Sequence, residues 1–331
     1  MSAASSPRRH ELSPIHGGAS GRRYFRLSLA AQASDAAATY VVMVVPTVEV
    51  GTFDAFCSNG EYLRSQSIPA PAILARWRDQ GIALLEDFGT RTLTQVIASE
   101  QENRCALLEG AIGLLVRLHT CRQNDAFPCP AFQLHFDEEK WRFEYRFHVR
   151  EWLIARHWKI EPTCAESKIL DRAFAWLGAR LSREPRVFTH RDYQSSNLLV
   201  RHDGSYGLID FQDARQGLRQ YDLASFLYDS YVDLNETERS ELSNMYASMA
   251  GLTIPEDEHR HLVTISAIQR KLHDAGAFAY AAYHREKTEY LCYLAPAVTQ
   301  SVTLMAQIPH LREAGRVLSD YAARATGGTS A

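Results

Sequence analysis

The chain has 331 residues, of which 46% are hydrophobic and 23% charged, and its formal net charge at pH 7 is −3. A chain of this length and composition can bury a sizeable core as one large or two medium domains. The small net charge provides no basic excess for nucleic acid or an anionic membrane surface, so neither is expected as a partner. No apolar run approaches the length of a membrane-spanning helix, so none is predicted.

The six cysteines form no C-x-x-C pair and have no accompanying histidine set, which predicts free thiols rather than disulfides or a zinc site. Residues 1–13 and 323–331 are polar and rich in small residues, so both are expected to be disordered tails. The N-terminus lacks the apolar stretch of a signal peptide. These features predict a cytoplasmic protein.

A glycine-rich loop precedes the first predicted strands. Its residues are Gly17, Gly18, Ser20 and Gly21, and Arg22, Arg23 and Arg26 follow. Glycine lets backbone N–H groups approach a phosphate closely, and a guanidinium matches phosphate in bidentate fashion. A plain turn explains the glycines alone, but their position ahead of two strands favours a phosphate-binding loop.

The next segments alternate between strand and helix patterns. A β-branched run at 39–45 predicts a central strand. Residues 53–65 have a helical pattern at both ends, which Asn59-Gly60 is expected to interrupt. Two further strands, joined by a polar turn, are predicted at 73–77 and 82–85. Beyond residue 92 the pattern becomes mainly helical.

The segment 137–159 mixes aromatic side chains with both signs of charge. The simplest interpretation is an amphipathic helix with a solvated face. A second interpretation is that some of its side chains line a sugar pocket, because sugars stack on aromatic faces and hydrogen-bond to carboxylates. The residues considered for that role are Trp141, Glu144, Tyr145, Glu151 and Trp152.

The most informative stretch is 187–224. Its polar residues, in chain order, are His190, Arg191, Asp192, Asn197 and Asp210, with the hairpin signal Asp203-Gly204 between the last two. Phosphoryl transfer from ATP needs a carboxylate that accepts or orients the acceptor hydroxyl, and Asp192 fits that role. Asn197 and Asp210 offer hard oxygen ligands for Mg²⁺ on either side of the hairpin. An ordinary hairpin does not explain these residues together, so an ATP–Mg²⁺ site is predicted.

The motifs in this stretch resemble those of a known superfamily. HRDYQSSNLLV at 190–200 and LIDFQDARQGLRQYDLASFL at 208–227 are similar to the aminoglycoside phosphotransferases and choline kinases. IDFQDA, GGASGRRYFRL and QRKLHDAGAF resemble, more narrowly, bacterial sugar kinases that phosphorylate the anomeric hydroxyl of N-acetylmuramate and N-acetylglucosamine. The resemblance implies an α+β, bilobal protein-kinase-like fold, with a β-rich N-lobe at 14–87 and a larger helical C-lobe at 88–322.

The resemblance also implies roles on the nucleotide side. A lysine on the central strand contacts the nucleotide phosphates in related kinases, but Met43 or a neighbour stands at that place here. The sugar-kinase subgroup also has methionine there, so Arg22, Arg23 or Arg26 is expected to supply the charge. Without the lysine, Glu61 on the following helix has little to pair with. The sequence LLEDFG resembles the hinge between lobes, where backbone groups bind adenine, and the residues implied are Leu85, Glu86 and Phe88.

Three further positions follow from the same resemblance. Asp222 is expected to brace the catalytic loop by accepting backbone hydrogen bonds. Asp213 is expected either to contact the metal or acceptor or to cap a turn. His273 stands where the subgroup usually has a lysine, and its role stays open.

The resemblance implies a kinase that uses ATP and Mg²⁺ to phosphorylate a small molecule, most simply a cell-wall sugar undergoing recycling. Two alternatives remain open. One is a kinase for a choline-type amino alcohol or an aminoglycoside. The other is a non-catalytic nucleotide-binding scaffold, which the absent strand lysine favours and the intact Asp192, Asn197 and Asp210 oppose. The sequence does not define the oligomeric state.

Overall fold

The computed structural model describes residues 10–15, 21–31, 37–46, 49–99 and 103–327. Its N-terminal part is a five-stranded antiparallel sheet with the strand order β1-β2-β3-β5-β4. The strands are β1 (His10–Ile15), β2 (Arg23–Leu29), β3 (Ala38–Val44), β4 (Ile73–Trp77) and β5 (Ile82–Glu86). Helix α1 (Val50–Ser65) connects β3 to β4. The predicted strands are therefore present, within one residue of the expected bounds at β3 and β5.

Strand β1 corrects the expected N-terminal tail. Residues 10–13, expected to be disordered, pair with β2 in the register His10↔Leu29 to Ile15↔Tyr24. The strand lies at the edge of the sheet, where Pro14 is tolerated because one side of the strand needs no ladder hydrogen bond. Backbone pairing stabilises this segment, and a polar composition does not reveal such pairing.

Helix α1 runs without a break through Asn59-Gly60, so the predicted interruption is wrong. Both residues are buried against the segment that follows Asp210. The Asn59 amide donates to the Phe211 carbonyl, and the Phe211 ring lies beside Gly60. Tertiary contacts thus override the local preference of an Asn-Gly pair for a turn.

The C-terminal part is mostly helical. Its α-helices are α2 (Leu93–Ser99), α3 (Arg104–His119), α4 (Glu138–Glu144), α5 (Cys164–Ser182), α6 (Arg219–Leu227), α7 (Glu236–Met249), α8 (Glu256–His284), α9 (Leu291–Met305) and α10 (Arg312–Gly327). Helix α4 continues directly into a π-helix at Tyr145–His157. The 137–159 segment is therefore helical as expected, but it changes its helix type at Glu144, and Trp141, Tyr145 and Trp152 are all buried.

Two short antiparallel ribbons carry the motif residues. Strand β6 (Arg186–Thr189) pairs with β9 (Arg215–Leu218), and β7 (Leu198–Val200) pairs with β8 (Tyr206–Leu208). The β7–β8 ribbon is the hairpin that Asp203-Gly204 predicted. The loop after β6 and the loop after β8 consequently lie side by side, and they bring the two motif segments together.

Residues Glu86 and Asp87 connect the sheet to the helical part. Glu86 forms ion pairs with Arg64 of α1, at 3.3 Å, and with Arg201 beyond β7, at 2.8 Å. The Asp87 carboxylate accepts hydrogen bonds from Arg26 of β2 at 2.6 and 3.0 Å. The end of β5 is therefore tied to the sheet, to α1 and to the hairpin.

Three composition-based expectations can be compared with the structure. All six cysteines lie within the described residues and are free thiols. None of the described helices is long and apolar enough to cross a membrane. The C-terminal tail was expected to begin at residue 323, but α10 continues through Gly327. This helix buries Leu318 and Tyr321, and Tyr321 lies against Trp158.

Candidate active site

The loop after β6 holds Asp192 in a constrained backbone. Arg191 has φ +80°, in the left-handed region that non-glycine residues rarely adopt. The fully buried Asp222 carboxylate accepts hydrogen bonds from the backbone N–H groups of His190, at 2.6 Å, and Arg191, at 2.9 Å. These are the bracing contacts expected for Asp222, and they hold the strained turn in place.

His119 supports Asp222 from behind. Its Nε2 lies 3.3 Å from the Asp222 carboxylate, and its Nδ1 lies 2.6 Å from the Tyr246 hydroxyl. Burial lowers the pKa of His119, although the neighbouring carboxylate opposes the shift, so the ring is neutral at pH 7. Because a carboxylate only accepts, Nε2 carries the proton and the tyrosine donates to Nδ1. His119 is a structural residue.

Asp192 lies between two arginines. Its Oδ1 accepts a hydrogen bond from Arg270 Nη1 of α8 at 2.5 Å, and Arg191 precedes it in the chain. Burial alone would raise the pKa of Asp192, but the charges of Arg270 and Arg191 hold it well below its usual value. Asp192 is therefore an anion at physiological pH that accepts hydrogen bonds well and is a weak base.

Asn197 is oriented by Asp192 itself. The Asn197 amide nitrogen donates to the Asp192 backbone carbonyl at 2.8 Å. The amide group has one oxygen and one nitrogen, so this bond uses the donor end and leaves the oxygen, an atom type that can coordinate a metal ion.

Asp210 follows β8 with φ +65°, a second strained non-glycine residue in this region. Its Oδ1 accepts from Arg22 Nη2 at 2.9 Å and from Gln212 Nε2 at 3.1 Å. The side chain is 34% exposed. His190 Nε2 donates to the carbonyl of Ile209, at 2.9 Å, and so connects the catalytic loop to the residue just before Asp210.

The three arginines near the predicted phosphate loop have different environments. Arg22 is largely buried on Asp210, while Arg23 is exposed at the start of β2 and Arg26 is held by Asp87. Burial would lower the pKa of Arg22, yet the Asp210 charge raises it above its usual value. Met43 is fully buried, and Glu61 pairs with Arg76 at the surface. Arg22 is thus the member of this set that reaches the motif residues.

The remaining nucleotide-side predictions have mixed outcomes. Gly17, Gly18 and Ser20 lie outside the described residues, so their role stays a prediction. Gly21 is described and lies just before Arg22. Leu85 is buried in β5 opposite Val41. The side chains of Glu86 and Phe88 contact Arg201, whose guanidinium lies 4.3 Å from the Phe88 ring centre. Adenine contacts by backbone groups here stay a prediction.

Arg191 connects Asp192 to two of the predicted acceptor residues. Its guanidinium lies 3.6 Å from Glu144 Oε1 and 3.5 Å from Asp213 Oδ2. Glu144 Oε2 lies 2.5 Å from His273 Nδ1 and 3.1 Å from His148 Nε2, and Lys140 Nζ lies 2.6 Å from Oε1. Burial would raise the pKa of Glu144, but His273, His148 and Arg191 hold it well below its usual value. Glu144 is a buried carboxylate anion.

The π-helix and α8 pack closely around this carboxylate. Gly276 allows that approach, because a Cβ there would lie 2.2 Å from the His148 carbonyl oxygen. The His148 and His273 rings are 3.9 Å apart, and Trp152 lies edge-on to Tyr280 at 4.9 Å. Within the described part of the chain, His148 Nδ1 and Trp152 Nε1 are buried without a hydrogen-bond partner. Buried polar atoms of this kind need an explanation, and an ordered water, an ion or a bound polar ligand supplies one.

Sequence reasoning missed Arg270 and His148. Arg270 is separated from Asp192 by 78 residues and lies inside a long helix. A signal was present in Gln269-Arg270-Lys271, three consecutive polar residues that follow an apolar stretch of α8, and all three are buried.

The chain is similar to known proteins in both sequence and fold. A sequence model described as "Phosphotransferase enzyme family" matches residues 11–261. The chain is 31% identical over 280 residues to an N-acetylmuramate/N-acetylglucosamine kinase of Neisseria meningitidis serogroup B, covering 81% of this chain and 78% of that protein. It is 29% identical over 314 residues to the Pseudomonas aeruginosa protein of the same name, covering 93% and 88%. In fold it is similar to a Plasmodium vivax ethanolamine kinase, with a TM-score of 0.62 at 16% identity, covering 92% and 83%.

Proposed function

The chain belongs to the phosphotransferase enzyme family, and we propose that it transfers the γ-phosphate of ATP to the anomeric hydroxyl of N-acetylmuramate or N-acetylglucosamine. The observation that carries the proposal is the link between Asp192 and Glu144. Arg270 anchors Asp192, and Arg191, the residue before Asp192, lies 3.6 Å from the buried Glu144. The names of the relatives from Neisseria and Pseudomonas support the acceptor. Use of ATP, together with free thiols, supports a cytoplasmic location.

The donor set fits a magnesium ion. Asn197 contributes an amide oxygen and Asp210 a carboxylate, the oxygen ligands that Mg²⁺ prefers. These residues would hold the Mg²⁺, and the ion would supply positive charge that offsets the charge of the ATP phosphates. Arg22 lies on Asp210 and provides the positive charge that the central strand lacks at Met43. We therefore assign Arg22, and not Arg23 or Arg26, as the phosphate-side cation.

Asp192 acts on the acceptor hydroxyl. The carboxylate accepts a hydrogen bond from that hydroxyl and orients its oxygen towards the γ-phosphorus. As the new O–P bond forms and the bond to the β-phosphate oxygen breaks, the hydroxyl proton passes to Asp192. The two arginines make Asp192 a weak base, so the proton moves late, which suits a loose transition state. An anomeric hydroxyl is more acidic than an ordinary alcohol and needs only such a base.

The acceptor lies, in this proposal, between the π-helix and α8. Glu144 and Asp213 are placed to accept hydrogen bonds from sugar hydroxyls, with Arg191 between them. Trp152 and Tyr280 offer an aromatic wall. The buried Nδ1 of His148 and Nε1 of Trp152 find partners on a polyhydroxylated acceptor.

The charges in this region favour a neutral or anionic acceptor over a cationic one. Lys140, Arg191 and Arg270 surround the acidic groups, and both Glu144 and Asp213 already have cation partners. Choline and aminoglycosides are cations, so they gain little attraction here. The muramate carboxylate, in contrast, can be accommodated. A choline or aminoglycoside kinase therefore fits these charges less well than a sugar kinase.

The test is an ATP-consumption assay over a panel of acceptors. It compares N-acetylmuramate, N-acetylglucosamine, their 1-O-methyl glycosides, choline and kanamycin. We expect turnover with the two free sugars and none with the methyl glycosides, because methylation removes the anomeric hydroxyl. Turnover with the glycosides would place the phosphate on another hydroxyl. Mg-ATP binding without turnover of any acceptor would support the non-catalytic scaffold.

A further inference from the structure

The central feature here is Asn59, a fully buried asparagine in the interior of α1. Its side-chain nitrogen lies 3.0 Å from the carbonyl oxygen of Phe211 and 3.4 Å from that of Gln212. Its side-chain oxygen accepts from the Cys129 thiol at 3.2 Å. Asparagine is a poor residue for a helix interior, so these contacts, and not helix formation, account for its presence.

The ring of Phe211 fixes the same segment from its other side. It is fully buried and stacks on Phe56 of α1, with 4.9 Å between ring centres. A Cβ on Gly60 would lie 3.2 Å from this ring, closer than ordinary van der Waals contact. Two consecutive residues of α1, Asn59 and Gly60, are therefore fitted to the two residues that follow Asp210.

Asp210 needs such support because of its backbone. Its φ of +65° is unfavourable for a residue with a Cβ and persists only where the surroundings impose it. His190 Nε2 donates a hydrogen bond, at 2.9 Å, to the carbonyl of Ile209, the residue before Asp210. Asn59 donates hydrogen bonds to the carbonyls of Phe211 and Gln212, the two residues after Asp210. The strained residue is thus held on both sides, once from the catalytic loop and once from α1.

We propose that Asn59 is a positioning residue that holds the Asp210 carboxylate in its metal-binding orientation. Helix α1 is then coupled to the metal site through the Asn59 amide. In this chain Met43 stands at the place of the strand lysine, and Glu61 of α1 pairs with Arg76 at the surface. The inference rests on the proposed role of Asp210 as a Mg²⁺ ligand. It adds a fully buried residue of α1 that acts on Asp210 through the backbone of the next two residues.

The first experiment replaces the amide by an apolar group that branches at the same carbon. Asn59→Leu removes both bonds to the carbonyls of Phe211 and Gln212. We expect the Mg²⁺ concentration for half-maximal turnover, measured at saturating ATP, to rise about tenfold. The acceptor KM should stay within about twofold of wild type. Hydrogen exchange at the backbone amides of residues 211–214 should become faster, a readout that does not depend on activity.

The second experiment uses a matched pair of glycines on the same helix. Gly60→Ala crowds the Phe211 ring, whereas Gly51→Ala adds a Cβ with no atom within 4 Å. Both changes favour helix formation, so both variants should fold. We expect a higher Mg²⁺ requirement and faster exchange at 211–214 only for Gly60→Ala. This pair decides the question even if Asn59→Leu fails to fold.

The outcomes separate this inference from the proposed function. A folded Asn59→Leu with wild-type Mg²⁺ dependence and wild-type exchange at 211–214 would overturn the positioning role, as would identical behaviour of the two glycine variants. Asp210→Ala is measured alongside. If that variant keeps full turnover, the metal assignment is wrong. Faster exchange in Asn59→Leu would then show only that α1 stabilises the segment at 211–214, and the proposal that Asn59 positions a metal ligand would be wrong as well.

Discussion

The guanidinium of Arg22 lies 2.9 Å from the carboxylate of Asp210, although the two residues are 188 positions apart in the chain. Arg22 is in the sheet region and Asp210 is at the end of the β7–β8 ribbon. The pair spans the junction where the proposed phosphates and metal meet. It explains how a chain without a lysine on its central strand can still place a cation next to Asp210.

The first prediction concerns that cation. Arg22→Gln should raise the KM for ATP about tenfold or more, because a buried charge next to the phosphates is lost. Arg23→Gln serves as the matched control, since Arg23 is exposed at the neighbouring position and should leave the KM unchanged. Steady-state kinetics at varied ATP measure both variants. Equal effects of the two changes would contradict the assignment of Arg22.

Removal of the proposed metal ligands gives a second prediction. Asp210→Ala should abolish Mg²⁺-dependent turnover, because its carboxylate oxygens are lost from the metal site. Asn197→Ala should weaken Mg²⁺ activation and slow turnover. It also removes the bond to the Asp192 carbonyl, so circular dichroism is needed to verify the fold. Near-native rates in both folded variants would show that the metal binds elsewhere.

A third prediction separates catalysis from binding. Asp192→Asn should lower kcat by about 10²–10⁴-fold, the usual contribution of a positioned base. ATP affinity, measured by calorimetry, should change little because asparagine keeps the shape of the side chain. If wild type and variant turn over every acceptor at the same rate, Asp192 has no role in the chemistry.

The fourth prediction is a dependence of stability on pH. Burial, followed by the nearby His273, lowers the pKa of His148 to about 4. In the unfolded chain a histidine titrates near 6.5, so between about pH 6.5 and 4 the unfolded state binds the additional proton and the folded state loses stability as pH falls. At pH 5 this loss is about 2 kcal/mol relative to pH 7.5.

Urea denaturation at pH 7.5 and pH 5 tests this prediction. His148→Gln should lose less stability than wild type between the two pH values, while His202→Gln, which changes an exposed turn, should behave like wild type. The neighbouring Glu144 also has a depressed pKa, but its stabilisation is lost only below about pH 4.5. The pKa values of His119, His157 and His259 are also lowered and act in the same pH range, so the difference between wild type and His148→Gln isolates the contribution of His148. An unaltered pH dependence in His148→Gln would contradict the prediction.

The sequence predicted the hairpin and the polar residues around it because both depend on local spacing. Asp192, Asn197 and Asp210 are distinctive residue types around one hairpin, and the ribbon brings them together as expected. Arg270 could not be placed in the same way, because its contact with Asp192 depends on how α8 packs.

At Asn59-Gly60 the local sequence pattern predicted the wrong structure. The pair signals a turn in isolation, but here both residues serve the packing of α1 on Phe211. Local propensity gave the wrong structure because a tertiary contact was stronger. The expected N-terminal tail failed for a similar reason, since the β1–β2 ladder is not visible in composition.

The π-helix has a consequence for how the acceptor site can change. In an α-helix of 3.6 residues per turn, residues eight apart, such as Glu144 and Trp152, are about 80° from alignment. Both of them contact α8, Glu144 through His273 and Trp152 through Tyr280, with the π-helix at Tyr145–His157 between them. Deleting one residue between them would leave the two residues seven apart, and in ordinary α-winding residues seven apart lie about 20° from alignment. Trp152 would then turn relative to Glu144 although neither side chain is altered. The length of this helix is therefore a single-step variable through which acceptor preference can shift while the catalytic loop stays unchanged.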